Sequence, residues 1–139
     1  MTQNDKDLLL KDLCARLDTN LVCSIYRTDD EGVGYRDEIL HGYCKGDIWY
    51  EFYFREDCSI GIDNVSKIKP YLFPLSSMTD EQKRELDNLV EESVFQILHS
   101  EDGNPQPHIA MDWYNKNHFD YRGLIPMGLA NDATGKNIY

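Results

Sequence analysis

No stretch of this sequence is apolar for long enough to cross a membrane. A spanning helix needs about 18–20 consecutive apolar residues, and none of the apolar runs approaches that length. Residues 1–7 are mostly polar and lack the basic segment and apolar core of a secretory signal. We therefore expect a cytoplasmic protein without a membrane-spanning segment.

Cysteine is scarce, and its spacing is irregular. No C-x-x-C pair occurs among the four cysteines, which are Cys14, Cys23, Cys44 and Cys58. In a reducing compartment such residues behave as small apolar side chains. We expect them to be reduced and mostly buried, with Cys58 facing the core beside Ile60 and Ile62. A zinc site built from four distant cysteines is the alternative.

Signatures of catalysis and of nucleotide binding are missing as well. Gly32-Val33-Gly34 and Gly61-Ile62-Asp63 lack the spacing of phosphate-binding loops. Ser76 and Ser77 lack the G-x-S-x-G context of a serine hydrolase. The sequence thus implies no cofactor and favours a protein that is not an enzyme.

Basic side chains are outnumbered by acidic ones. The chain has 25 Asp and Glu residues against 14 Lys and Arg residues, which gives a formal net charge of -11. This charge opposes non-specific binding to nucleic acid and to anionic lipid. It favours a basic protein partner, although surplus acid also simply keeps a protein soluble.

The first half of the chain predicts a helix followed by strands. Residues 5–17 have helical periodicity, with an apolar face of Leu9, Leu10, Leu13, Cys14 and Leu17 and a polar face of Lys11, Asp12 and Arg16. Strands are predicted over residues 21–26, 35–44, 48–55 and 58–63, with a hairpin turn at Gly46-Asp47. In the third of these strands the predicted core residues are Ile48, Tyr50, Phe52 and Phe54. We expect an antiparallel meander.

The second half predicts a connector and two helices. Pro70 and Pro74 argue against a central strand in residues 68–79, because proline has no backbone N–H. Thr79 and Gln82 match a capping box, and they precede an apolar helical stripe of Leu86, Leu89, Val90, Val94, Ile97 and Leu98. A shorter helix is expected over residues 108–117.

Together these elements predict an α+β fold in a single domain, residues 1–139. It consists of a four-stranded antiparallel sheet, curled toward an SH3-like barrel and flanked by three helices. Apolar residues of the tail should fold back onto the domain, namely Phe119, Tyr121, Leu124, Ile125, Met127 and Leu129. Residues 131–139 are expected to fray or to bind a partner.

Three segments carry a resemblance to known sequences. They are Lys11-Asp12-Leu13-Cys14-Ala15-Arg16-Leu17, the connector from Lys69-Pro70-Tyr71-Leu72 to Ser76-Ser77-Met78-Thr79, and His118-Phe119-Asp120-Tyr121-Arg122-Gly123-Leu124. In these segments the chain resembles a family of short proteins encoded by gut-bacterial genomes, phages and integrated mobile elements. The family has no assigned activity, so the resemblance implies no site residues. It implies a setting, that of a small cytosolic accessory protein of a phage or mobile element, in which interference with a host system by protein binding is one expected role.

One candidate site is the polar cluster near the C-terminus. His108, Asp112 and His118 are the alternative metal ligands, and they would suit a small metal-dependent hydrolase. The competing interpretation is structural, with Asp120 capping a turn, Arg122 paired with a carboxylate and His118 bonded to backbone. Phe119, Tyr121 and Arg122 are binding candidates if the tail contacts a partner.

A second candidate site is the outer face of the predicted sheet. Trp49, Glu51 and Tyr53 share one side of a strand, and Tyr26 is expected to join them. Aromatic rings beside a carboxylate could bind an Arg or Lys of a partner, unless a helix covers this face. The leading hypothesis is therefore a protein-binding role, and a structural role in a phage particle is a further alternative.

Overall fold

The computed structural model describes residues 1–29, 32–45, 50–55, 58–99 and 108–139. The described chain forms three α-helices, which are α1 (Gln3–Ala15), α2 (Asp80–His99) and α3 (Ile109–Lys116). Its strands are β1 (Val22–Asp29), β2 (Gly32–Ile39), β3 (Gly42–Lys45), β4 (Tyr50–Arg55), β5 (Cys58–Gly61), β6 (Ile68–Leu72) and β7 (Asn131–Asp132). Short 3₁₀ turns occupy Ile62–Lys67 and Leu75–Ser77.

The strands form two sheets. The first is a curled half-barrel in the order β2-β1-β6-β7, antiparallel except for the parallel pair β6–β7. The second is antiparallel, in the order β3-β4-β5. The predicted α+β class, with three helices and a four-stranded, mostly antiparallel sheet, is confirmed. The expected continuous meander is wrong, because β1 pairs with β2 and β6, whereas β3, β4 and β5 form the second sheet.

Strand β6 corrects the prediction of a strandless connector. Its residues pair with β1 from Cys23↔Pro70 to Ile25↔Ile68. On the other side the Leu72 carbonyl accepts a 2.9 Å hydrogen bond from Ala133 N. Residues two apart in a strand direct their backbone groups to the same side. The backbone nitrogen of Pro70, which carries no hydrogen, therefore faces β7 rather than β1. Strand β7 begins only opposite Tyr71, and the ladder with β1 therefore loses no bond.

The main core lies between the two sheets and α1. Phe52 and Phe54 of β4 are fully buried, as their alternation predicted. They pack with fully buried residues of α1, β1 and β6, including Leu9, Leu13, Leu21, Cys23, Ile25, Ile68 and Leu72. Leu124 and Leu129 join this core from the tail, as expected, whereas Met127 is exposed.

A smaller second core connects α2, α3 and the tail. Leu86, Trp113 and Phe119 are its buried members, and Phe73 packs against them. Helix α2 begins with the predicted capping box, in which Gln82 N donates to Thr79 Oγ1 at 3.2 Å and Thr79 N donates to Gln82 Oε1 at 2.9 Å.

The polar face predicted for α1 is wrong. Asp12 and Arg16 are fully buried, while Cys14, assigned to the apolar face, is exposed. The helix begins at a capping box of Thr2 and Asp5 and buries Leu9, Asp12 and Leu13 together. Two charged side chains can occupy this buried face because they are paired with each other and with the tail.

Candidate functional site

The tail is held by an ionic cluster of Asp12, Arg16 and Arg122. The Asp12 carboxylate accepts hydrogen bonds from Arg16 Nε at 2.9 Å, from Arg16 Nη2 at 3.1 Å and from Arg122 Nη1 at 2.6 Å. Arg16 also donates to the backbone carbonyls of Tyr114, Asn115 and Phe119. One buried carboxylate and two guanidiniums thus join α1 to the end of α3 and to the segment after it.

Tyr121 and Arg122 are therefore structural residues in the described fold. The Arg122 guanidinium lies 4.5 Å from the centroid of the Tyr121 ring, which also stacks on Tyr114. Asp120 caps the next turn by accepting hydrogen bonds from Leu124 N and Ile125 N, both at 2.8 Å. The predicted cap at Asp120 and the predicted carboxylate partner of Arg122 are confirmed.

Phe119 and His118 are also packed into the fold. The Phe119 ring is buried and stacks on Trp113, with centroids 5.6 Å apart and planes 7° apart. His118 has a left-handed backbone (φ 58°), and its ring stacks on Tyr139 at 3.9 Å. Burial, and secondarily the nearby Arg16 guanidinium, lowers the pKa of His118 to about 4. The imidazole is therefore neutral near pH 7.

The expected hydrogen bond from the His118 side chain to backbone is not formed at Nδ1, which is buried without a partner among the described residues. The backbone N–H of His118 donates to Asn115 O at 3.2 Å instead. The left-handed turn gives the main chain this bond and places the ring against Tyr139.

Residues 131–139, expected to fray or to bind a partner, are part of the described fold. Asn131–Asp132 form β7, and the Tyr139 hydroxyl donates to Tyr71 O at 2.7 Å while accepting from Val22 N at 3.3 Å. Val22 and Tyr71 lie just past the last β1–β6 pair. The phenol therefore bridges the two strands where their ladder ends.

The alternative metal site is not assembled. His108 and Asp112 are exposed at the start of α3, whereas His118 is buried beyond the end of that helix. No three His, Cys, Asp or Glu side chains of the described residues are grouped so that they could hold a metal ion. The hydrolase hypothesis therefore gains no support here.

Two of the four cysteines can be compared with the predicted burial. Cys23 is buried in β1, and burial raises the pKa of its thiol. Cys14 is exposed, which corrects the expectation for that residue. The side chains of Cys44 and Cys58 lie outside the described part of the chain, and so does the predicted contact of Cys58 with Ile62.

The predicted aromatic sheet face is divided between two sheets. Glu51 and Tyr53 are half-buried in β4 of the second sheet. Tyr26 belongs to β1 of the first sheet, where its ring meets Tyr35 edge-on at 5.2 Å. Trp49 lies outside the described residues. The described residues therefore do not place Tyr26 on one strand face with Glu51 and Tyr53.

The exposed surface best suited to binding is the distal half of α2. Val90, Val94 and Leu98 recur every four residues and are 38%, 49% and 74% exposed. Asp87 and Glu91, which lie beside this row at 100° of helix per residue, are exposed. Neither Lys nor Arg occurs between Glu85 and His99. We call Asp87, Val90, Glu91, Val94 and Leu98 the acidic helix face.

The sequence predicts the apolar stripe that contains Val90, Val94 and Leu98, but it did not identify this part of the stripe as an exposed surface. Their periodicity shows that they share one side of a helix, but it does not show whether another element covers that side. The absence of basic residues from the same half of the helix was the available signal, since helix faces in contact with solvent usually mix both charge signs.

Comparisons with known proteins identify no relative. The chain matches no protein-family model, no curated protein and no solved structure. In the described parts of the chain, each helix is too short or too polar to span a membrane.

Proposed function

We propose that this protein acts by binding another protein, and that the acidic helix face receives a basic amphipathic segment of that partner. The observation that carries the proposal is the exposed row of Val90, Val94 and Leu98 with carboxylates on its flanks. Aliphatic side chains in a continuous exposed row are typical of interaction surfaces rather than of solvated helices.

The spacing of the row suits a helical partner. Residues four apart lie one above another on a helix, so the three side chains form a ridge that fits an apolar groove or a second amphipathic helix. They are between 38% and 74% exposed, and complete burial would contribute about 1 kcal/mol per residue on average. That amount is modest, and the charges must supply selectivity.

The carboxylates select the sign of the partner. Asp87 and Glu91 lie beside the ridge, and no basic residue occurs between Glu85 and His99. Lys or Arg side chains on the partner would pair with these carboxylates, raise the association rate and make binding sensitive to salt. The net charge of -11 disfavours nucleic acid as the partner. A basic host protein or a basic protein of a mobile element fits these requirements.

The test compares two classes of variant in affinity capture from bacterial lysate. Val94→Ser with Leu98→Ser removes the ridge, and Asp87→Lys with Glu91→Lys reverses the charge beside it. Val33→Ser on the exposed part of β2 and Asp63→Lys on the turn after β5 are matched controls. The proposal requires a captured basic protein that both α2 variants lose and both controls retain. The purified partner should then bind the wild-type chain and be released by raised salt.

Two results would reject the proposal. One is a captured set that the α2 variants leave unchanged. The other is self-association of the purified protein that Val94→Ser with Leu98→Ser abolishes, because a second copy of this acidic chain would then occupy the face. Sedimentation at several protein concentrations distinguishes these cases.

A further inference from the structure

A cleft of about 470 Å³ opens on the outer face of the first sheet. Cys23 and Ile25 of β1 face the core, so Ser24 between them faces outward. Around it the cleft is lined by Tyr35 of β2, by Lys69 and Tyr71 of β6, by Asn131 and Asp132 of β7, and by Lys136. Its volume falls in the range of small-molecule sites, about 300–1,000 Å³.

The floor of the cleft is a hydrogen-bonded tyrosine. Tyr71 is 9% exposed, and its hydroxyl interacts with the side chains of Asp37, Ser24 and Asn131. Burial, and then the hydrogen bond to Asp37, raises the pKa of Tyr71. The phenol is thus protonated at neutral pH, with the Asp37 carboxylate beside it. Burial of the Tyr71 ring limits its movement before any ligand arrives.

Two lysines stand over this floor. The Lys136 ammonium lies 5.7 Å from the centroid of the Tyr71 ring. Lys69 is half-buried, and no ion pair joins it to a carboxylate of the described residues. Asp132 lines the same cleft, where its Oδ1 accepts a 2.8 Å hydrogen bond from Thr134 N. Hydrogen bonds from Thr134, and secondarily the charge of Lys136, lower the pKa of Asp132, so Lys136 already faces one carboxylate. Lys69 therefore remains available to an anionic ligand.

An aromatic ring completes the cleft. Tyr35 is 63% exposed at the rim, and the edge-on contact with Tyr26 supports it from one side. An exposed, supported phenol is a platform on which a planar ring can stack. Lysine ammonium groups are suited to phosphate.

We propose that this cleft binds a small phosphorylated ligand of the nucleotide class. Lys69 and Lys136 hold the phosphate, and Tyr35 stacks on the base. The site is independent of the acidic helix face. Because the chain as a whole is strongly acidic, the two lysines must supply most of the local attraction for the anion.

The experiment is calorimetric titration of the full chain with AMP, GMP, CMP and UMP. We expect at least one monophosphate to bind, and Lys69→Ala or Lys136→Ala to raise its Kd at least tenfold. Lys83→Ala, at an exposed lysine of α2, is the matched control and should leave Kd unchanged. Tyr35→Ala should weaken the nucleotide and leave ribose 5-phosphate unaffected. Adenosine should bind more weakly than AMP.

Three outcomes would overturn the inference. They are no heat of binding from any of the four monophosphates at millimolar concentration, equal loss of affinity in Lys83→Ala, or ribose 5-phosphate binding as tightly as the nucleotide. Thermal melting of each variant without ligand verifies folding. If Lys69→Ala unfolds, Lys69→Gln keeps the side-chain length, removes the charge and must show the same loss of binding.

Discussion

The most demanding test of this fold is removal of the Asp12 carboxylate. Asp12 and Arg16 are both fully buried, and three hydrogen bonds from two guanidiniums end on the one carboxylate. Asp12→Ala deletes all three and leaves the charge of Arg16 buried without its counter-ion. Arg16 cannot turn toward water without losing its bonds to the carbonyls of Tyr114, Asn115 and Phe119.

The size of the effect follows from that arrangement. Removing one partner of a buried ion pair destabilises a protein by about 3–5 kcal/mol, because the remaining charge stays uncompensated. The total stability of a domain is about 5–15 kcal/mol, so Asp12→Ala should remove a large share of it. With a denaturant slope of about 2 kcal/mol per M, the urea midpoint should fall by roughly 2 M.

The assay is urea unfolding followed by circular dichroism at pH 7. Lys83→Ala is the control, since it breaks an exposed pair with Asp80 and should change the free energy of unfolding by less than about 1 kcal/mol. Arg122→Ala should fall between the two, because Asp12 keeps its bonds to Arg16. A loss below about 1 kcal/mol in Asp12→Ala would refute the reasoning. It would mean that water reaches Arg16, or that the tail is not held by this cluster.

Two further predictions concern the tail. The pKa of His118 is lowered to about 4 in the folded protein from about 6.5 in the unfolded chain. Folding therefore favours the neutral ring. The free energy of unfolding should fall by at most about 3 kcal/mol as the pH drops from 6.5 to 4. Urea unfolding across that range should show a weaker pH dependence in His118→Asn, which tolerates the left-handed backbone, and an unchanged dependence would contradict the assignment. Phe119→Ala should destabilise by about 3–5 kcal/mol because the ring is buried against Trp113, whereas Met127→Ala, at an exposed position, should leave the melting temperature nearly unchanged. Equal melting temperatures for the two variants would show that Phe119 is not part of the core.

The parts of the fold that were predictable are those that local chemistry determines. The capping box of Thr79 and Gln82 depends on residues three apart, and both of its bonds form. The alternation of Phe52 and Phe54 in β4 follows from the two-residue period of a strand. The Asp120 cap involves N–H groups only four and five residues ahead. None of these needs knowledge of a distant partner.

The features of the fold that were not predicted correctly depend on residues far apart in the sequence. The sequence places Asp12 and Arg16 four apart on a polar helix face, a spacing that is equally typical of an exposed ion pair. Their partners are Arg122, which lies 110 residues from Asp12, and the Phe119 carbonyl, which lies 103 residues from Arg16. The β1–β6 pairing is of the same kind, since four strands, β2 to β5, lie between the two in the sequence. A periodic pattern shows which side chains share a face. Residues elsewhere in the chain determine whether that face is buried and what it contacts.

The difference in length between α2 and α3 explains why α3 leaves the acidic helix face uncovered. Helix α2 has 20 residues and α3 has 8, which at 1.5 Å per residue correspond to about 30 Å and 12 Å. Helix α3 is the main described neighbour of α2, and it can cover less than half of the longer helix. Leu86, near the start of α2, is buried against Trp113, whereas Val94 and Leu98 are exposed. One apolar stripe therefore has two roles: its first part anchors the helix to the fold, and its second part is the surface that we assign to a partner.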